Sequence, residues 1–292
     1  GFTTYADVDI MDADGEFKIP TPKSSKHLKY DLIGENFKNY DAFVNLAHGK
    51  GHAMGGFGAN LKNQSIGIAS RNGKAYIHSA GKTKSPKLCW ISQHKQIDFI
   101  ESMAEAATAV SDYLKTEGKS IIYITVANAL SLDCDCDSNQ GDPVMEDIGI
   151  FASLDPVAND QAFIDAIWAS KDKGAEDLRE RIDSREGRAI LPYTESLGLG
   201  STDYELIELW YTGSMNRLVL IDGKSVFYRG YYAMGALSLE DGTPTGGVYG
   251  FAAIAMEIVK TWLKTEPLTA EKYRRRVKKV ADINDKHCVP VK

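Results

Sequence analysis

The densest chemistry in the chain lies in residues 46–63, LAHGKGHAMGGFGANLKN, where His48, Lys50, His52, Lys62 and Asn63 are threaded between glycines. Two imidazoles four residues apart share one face of a helix and would chelate a metal there. Glycines at 49 and 51 argue against a helix at that point. The glycines suit another chemistry. Glycine permits positive φ and close backbone approach, so a strand running into glycines and then a helix presents N–H groups to an anion. Lys50 and Lys62, with Asn63, would then supply charge and hydrogen bonds to a small anion. Neither the P-loop spacing nor the dinucleotide G-x-G-x-x-G spacing is present.

A second concentration of ligand atoms is DCDCD, residues 133–137, with thiols at Cys134 and Cys136. Thiolates favour zinc or iron–sulfur clusters, whereas carboxylates favour harder ions. Two cysteines cannot complete a four-thiolate cluster. A mixed site with His48 or His52 requires the fold to bring this loop onto the glycine stretch. The alternative is a solvated acidic turn after a strand. A disulfide within Cys-x-Cys would close a small, strained ring. Cys89 and Cys288 read as ordinary thiols. No G-x-S-x-G elbow marks a nucleophilic serine.

These side chains need elements to hold them. Residues 1–38 suggest a strand or two and a loop. Residues 40–48 have the apolar run of a buried strand leading into the glycines. Residues 63–70 suit a further strand or a helix edge. Residues 95–115 place Ile97, Ile100, Met103, Ala107, Val110 and Leu114 at helical period, and Gly118 ends that helix. Residues 119–128 form a strong buried strand, and 147–153 another. Asp155 is a natural N-cap, with Pro156 in the first turn of the next helix. Two short helices follow, over 174–187 and 190–200. The alternation gives an α/β fold, a mixed sheet flanked by helices. Near Thr212 the text changes character, and Gly213-Ser214-Met215 resembles the junction a fusion leaves. Two domains are therefore expected, 1–210 and 211–292, the second a C-terminal segment with a strand and two helices.

The 292 residues are 43% hydrophobic and 25% charged, with a formal net charge of −6. An acidic chain of this kind makes nucleic acid an unlikely partner. No apolar run approaches the roughly 20 residues that span a bilayer, so no membrane partner is expected. No leader segment is expected at the N-terminus. Four cysteines fit a reducing compartment, and the expected location is the cytoplasm.

Three resemblances are carried by longer stretches. YDAFVNLAHGKGHAMGGFGANLKNQSIGIASRNGKAYIHS, LSLDCDCDSNQGDPVMEDIGIFASLDPVANDQAFIDAI and RIDSREGRAILPYTESLGLGSTDYELIEL together resemble the prokaryotic domain-of-unknown-function 362 family, over about residues 1–209. Many members of that family carry a ferredoxin-like cysteine module, which this sequence lacks. The resemblance implies an iron–sulfur or zinc association, a redox-linked role and a small-molecule or ferredoxin-like redox partner. His48, His52, Cys134 and Cys136 would be the ligands. It also implies a family domain that extends further at its N-terminus. RLVLIDGKSVFYRGYYAMGALSLEDGTPTGGVYGFA is similar to the start of the 5′-nuclease domain of bacterial DNA polymerase I. That implies metal-binding at Asp222 and phosphate proximity at Arg229. Two-metal hydrolysis needs a larger set of carboxylates, so a remnant without nuclease activity is expected. EIVKTWLKTEPLTAEKYRRRVKKVADIND resembles the C-terminal helices of the ribose-5-phosphate isomerase B family, which implies phosphate contacts at Arg275 and Arg276. The whole reads as a mosaic or chimera. Its functional alternatives are a metal- or iron–sulfur-associated protein and a metal-independent small-anion-binding domain.

Overall fold

The computed structural model describes residues 7–134 and 141–207. They belong to the first of two units into which the chain divides, Gly1–Ile207 and Glu208–Lys292. The C-terminal strand and helices expected from sequence lie outside the described residues, as do Cys136, Asp222, Arg229, Arg275, Arg276 and Cys288.

The chain opens with β1 (Glu16–Ile19) and β2 (Asp31–Gly34), an antiparallel pair. β3 (Ala42–His48) runs into a small hairpin, β4 (Lys50–His52) and β5 (Gly56–Gly58). One helical turn, α1 (Asn60–Lys62), continues as a π-turn over Asn63–Gly67. Then come α2 (Arg71–His78), the long α3 (Gln96–Thr116), β6 (Ser120–Ala127) and β7 (Gly149–Ser153). The unit closes with α4 (Pro156–Ala169), α5 (Gly174–Ser184) and α6 (Ile190–Ser196). The main sheet has the order β3-β6-β7, with β3 parallel and β7 antiparallel to β6. This is the mixed-sheet α/β fold that the strand–helix alternation predicts.

α3 forms where the 3.6-residue period places it. Asp98 accepts the Lys95 N–H at 3.0 Å at its start, and Gly118, at φ +66, follows its end. Phe99, Ile100 and Met103 are fully buried, and each contributes about 2 kcal/mol of apolar transfer. Ala104, Ala106, Ala107 and Ala109 are also buried; their small side chains let neighbours close around the helix. Glu105, on the same helix, is buried and accepts the backbone N–H groups of Lys26 at 2.6 Å and Leu28 at 2.7 Å. The Tyr193 hydroxyl donates to it at 2.9 Å. A buried carboxylate persists because such donors replace water, and here they pin the 26–28 loop and α6 to α3.

α4 begins as the sequence requires. Asp155 accepts the N–H groups of Val157 at 2.8 Å and Ala158 at 3.1 Å. The strands differ from expectation in one respect. β3 was expected to be buried, yet Val44 is 59% and Leu46 61% exposed. α1, α3 and α4 pack on one face of the sheet, where Asn45, Tyr123 and Thr125 are buried. The opposite face carries Val44, Leu46, Ile122 and Ile150, all exposed. An apolar run does not reveal which of its two faces will be covered.

Candidate functional site: a cationic hairpin

The glycine stretch forms a hairpin. Its strands pair Lys50 with Gly58, Gly51 with Phe57 and His52 with Gly56. Lys50 and His52 are two residues apart on β4, so their side chains leave the strand on the same face. The aliphatic stem of Lys50 lies over Gly58, where an added Cβ would stand 3.4 Å from its Cε. The hairpin is held by backbone closure on either side. Gly51 N–H donates to the Ser131 carbonyl at 2.8 Å, and a Cβ on Gly51 would collide with the Leu132 carbonyl. Gly56 sits at φ +79, and its added Cβ would be 2.8 Å from the Gly187 Cα.

These contacts bring the acidic loop onto the hairpin. Lys62, at the end of α1, places Nζ 3.7 Å from the Cys134 Sγ. Arg181 of α5 makes an ion pair with Asp133 of the same loop. The cysteine loop thus meets the glycine stretch through Lys62 and through the Gly51 backbone.

His52 lies at the centre and is buried. Its Nδ1 accepts the N–H groups of Met54 at 3.1 Å and Gly55 at 2.9 Å, closing the hairpin turn. An imidazole whose Nδ1 accepts carries its proton on Nε2. Burial pushes its pKa from 6.5 down to about 3, and Lys62, His78, Lys50 and Arg181 push in the same direction. His52 is therefore neutral at physiological pH, with Nε2–H available as a donor and no lone pair there for a metal. His48 is placed differently. It ends β3, and its Nε2 lies 2.7 Å from the Asn128 carbonyl oxygen. A carbonyl only accepts, so Nε2 carries a proton and donates it.

Lys62 is positioned by a buried polar network. Asp160 of α4 accepts the N–H groups of Asn60 and Leu61, each at 2.9 Å. Burial pushes this carboxyl up to about 7, against the opposing pull of those N–H groups. Asn60 donates to Thr125 at 2.7 Å and to Asn159 at 2.9 Å. Asn63, expected to touch an anion, turns its amide to Asn45 at 2.7 Å. The first N–H groups of α1 thus serve Asp160.

The reading of the sequence missed Arg181, Asp160 and His78. One signal was available: residues 42–97 contain eight Lys and Arg and no Asp or Glu, in a chain of net charge −6. Lys50, Lys62 and His78 all fall in that stretch. Arg181 lies more than a hundred residues downstream, and nothing local marks it.

The metal expectation can be tested against the donors. Among the described residues no three His, Cys, Asp or Glu side chains form a group that could hold a metal ion. A four-thiolate cluster would need all four cysteines of the chain. Cys89 is buried in a separate turn, where its thiol donates to the Pro86 carbonyl at 3.4 Å. Among the described residues the two cysteines form no four-thiolate set. A smaller mixed site would draw on Cys134 and on Cys136, which lies outside the described residues.

A mixed sheet covered on one face by helices, with a cationic hairpin at the end of β3, defines an α/β domain. The family described as Domain of unknown function (DUF362) matches residues 2–165, more than half of the chain, and the chain belongs to that family. DNA polymerase I of Bacillus subtilis (strain 168) is 43% identical over 54 residues, which is 18% of this chain and 6% of that protein. The chain thus spans a small fraction of that relative. No solved structure matches the chain. Among the described residues no helix is long and apolar enough to cross a membrane.

Proposed function

We propose that this chain is a metal-independent binding domain for a small oxyanion, with its site at the β4–β5 hairpin. One observation carries the reading: the hairpin that bears Lys50 and His52 closes on the 131–134 loop, which Lys62 of α1 and Arg181 of α5 also reach. Asp133 answers Arg181. Lys62 meets a sulfur, a weak acceptor beside an oxyanion. A phosphate or carboxylate between Lys62 and the His52 Nε2–H would receive charge-assisted hydrogen bonds from both.

The test is calorimetric titration of inorganic phosphate into the full chain and its Lys62→Ala variant. The wild type binds, and the variant binds more than about tenfold more weakly, as loss of one charge-assisted hydrogen bond requires. Equal affinities would sink the proposal. Chelator leaves the melting temperature of the wild type unchanged.

A second reading rests on the approach of the 131–134 loop to the hairpin. Zinc or iron held by Cys134, Cys136 and His48 would give the redox-linked or structural role that the cysteine pattern suggests. Its distinguishing result is a fall in thermal stability on treatment with EDTA.

A further inference from the structure

Residues 82–95, KTKSPKLCWISQHK, form a loop between α2 and α3 with an unusual surface. Leu88 is 52%, Trp90 63% and Ile91 74% exposed. Lys82, Lys84, Lys87 and Lys95 surround them, all exposed, and the segment contains no Asp or Glu. Three large apolar side chains held in water within four residues are costly and call for a partner.

The loop is built to present them. Cys89 is buried beneath the tip. The Leu88 and Cys89 N–H groups donate to Ser85 at 3.1 and 3.0 Å, and the Ile91 N–H donates to Leu88 at 3.2 Å. Ser92 Oγ donates to the Cys89 carbonyl at 2.7 Å, and Lys82 Nζ reaches the Gln93 carbonyl. The Trp90 ring rests against His78, with centroids 5.0 Å apart. Asp12 and Glu16, which share a hollow with Ser85, Pro86 and Lys87, are engaged elsewhere: Asp12 accepts the Arg71 N–H at 2.9 Å, and Glu16 accepts from Ser70 and Asn72.

We propose that residues 82–95 are a docking loop for an anionic phospholipid surface, with Leu88, Trp90 and Ile91 entering the interface and the lysines meeting the headgroups. Composition selects lipid over single-stranded nucleic acid. Base stacking uses aromatic faces, and two of the three apolar groups here are aliphatic. Leu and Ile gain from leaving water for acyl chains. Trp favours the headgroup boundary, and lysine stems run along apolar surface while their charges stay wet. Such attachment needs no spanning stretch, so the proposal departs from the sequence expectation of no membrane partner, which rested on the lack of one. The proposal is independent of the oxyanion site.

The test is co-sedimentation of the full chain with vesicles of phosphatidylcholine alone or with about one third phosphatidylglycerol. Each lysine near an anionic surface contributes about fivefold, so four favour the anionic vesicles by on the order of several hundredfold. Binding weakens as salt rises. A Leu88→Asp/Ile91→Asp variant and a Lys84→Glu/Lys87→Glu variant each lose it, both melting as the wild type does because the altered side chains are exposed. Lys62→Ala retains it, which separates headgroup capture at the hairpin from docking by the loop. Equal binding to neutral and anionic vesicles overturns the proposal, as does full binding by both loop variants. Binding to single-stranded DNA without binding to vesicles overturns it in favour of nucleic acid.

Discussion

The Lys62 ammonium stands 3.7 Å from the Cys134 sulfur, across 72 residues of chain. The contact joins the helical turn after the hairpin to the loop after β6. A thiol is a weak acceptor, so the sulfur is a replaceable partner for this lysine and the lysine is the group that matters to an oxyanion. Cys134→Ser is expected to leave phosphate affinity within about twofold of the wild type, a change too small to count as loss of a charge-assisted bond. Isothermal titration checks it. A loss as large as that of Lys62→Ala would make the sulfur part of the binding surface and favour the metal reading.

His52 makes stability depend on pH in a defined window. Its folded pKa, about 3, lies below the 6.5 it has when exposed. Below about pH 6.5 the unfolded chain takes up a proton that the folded chain refuses. Stability is therefore lost as pH falls from about 6.5 toward 3, by about 1.4 kcal/mol per pH unit. Asp31 acts oppositely: burial raises its carboxyl from 3.8 to about 7, so the folded chain holds a proton there that the unfolded chain releases. The difference between wild type and His52→Asn isolates the imidazole, since Asn retains an acceptor for the turn. The wild-type advantage in urea unfolding is expected to shrink by roughly 2 kcal/mol between about pH 7 and about pH 5. A constant difference would show that His52 takes up its proton alike in the folded and unfolded chain.

Gly51→Ala places a methyl group against the Leu132 carbonyl. Relief requires the hairpin and the 131–134 loop to part. The variant is expected to lose about 1–3 kcal/mol of stability, as overpacked sites do, and to bind phosphate more weakly although no charge has changed. Thermal melts and phosphate titration of one preparation measure both effects. A variant of normal stability and affinity would mean that the two segments are not held in register by this contact.

Much of the scaffold was legible because it follows periodicity. The apolar spacing of residues 97–114 marks α3, and Asp155 with Pro156 marks the start of α4. The short helices over Gly174–Ser184 and Ile190–Ser196 likewise fall within the segments read as helical. Residues 63–70 were left between strand and helix edge, and they hold a π-turn followed by a single bridge from Ala69 to Ile33. No side-chain period encodes such a turn. The site was legible in part. Lys50, Lys62 and His52 stood out because they cluster in sequence. Arg181 and Asp160 did not, because each looks like any charged residue on a helix until tertiary packing sets it against the hairpin. The tautomers of His48 and His52 depend on which backbone groups surround each ring, and the sequence carries no trace of that.

The hairpin also bears on whether the site is portable. Its charges are spaced by main chain resting on main chain at Gly51 and Gly56, where nothing else would fit. A graft that copied Lys50, His52, Lys62 and Arg181 onto another scaffold would carry over the inventory and lose the spacing. The part to transplant first is the gap itself, the missing side chains that let three distant segments touch.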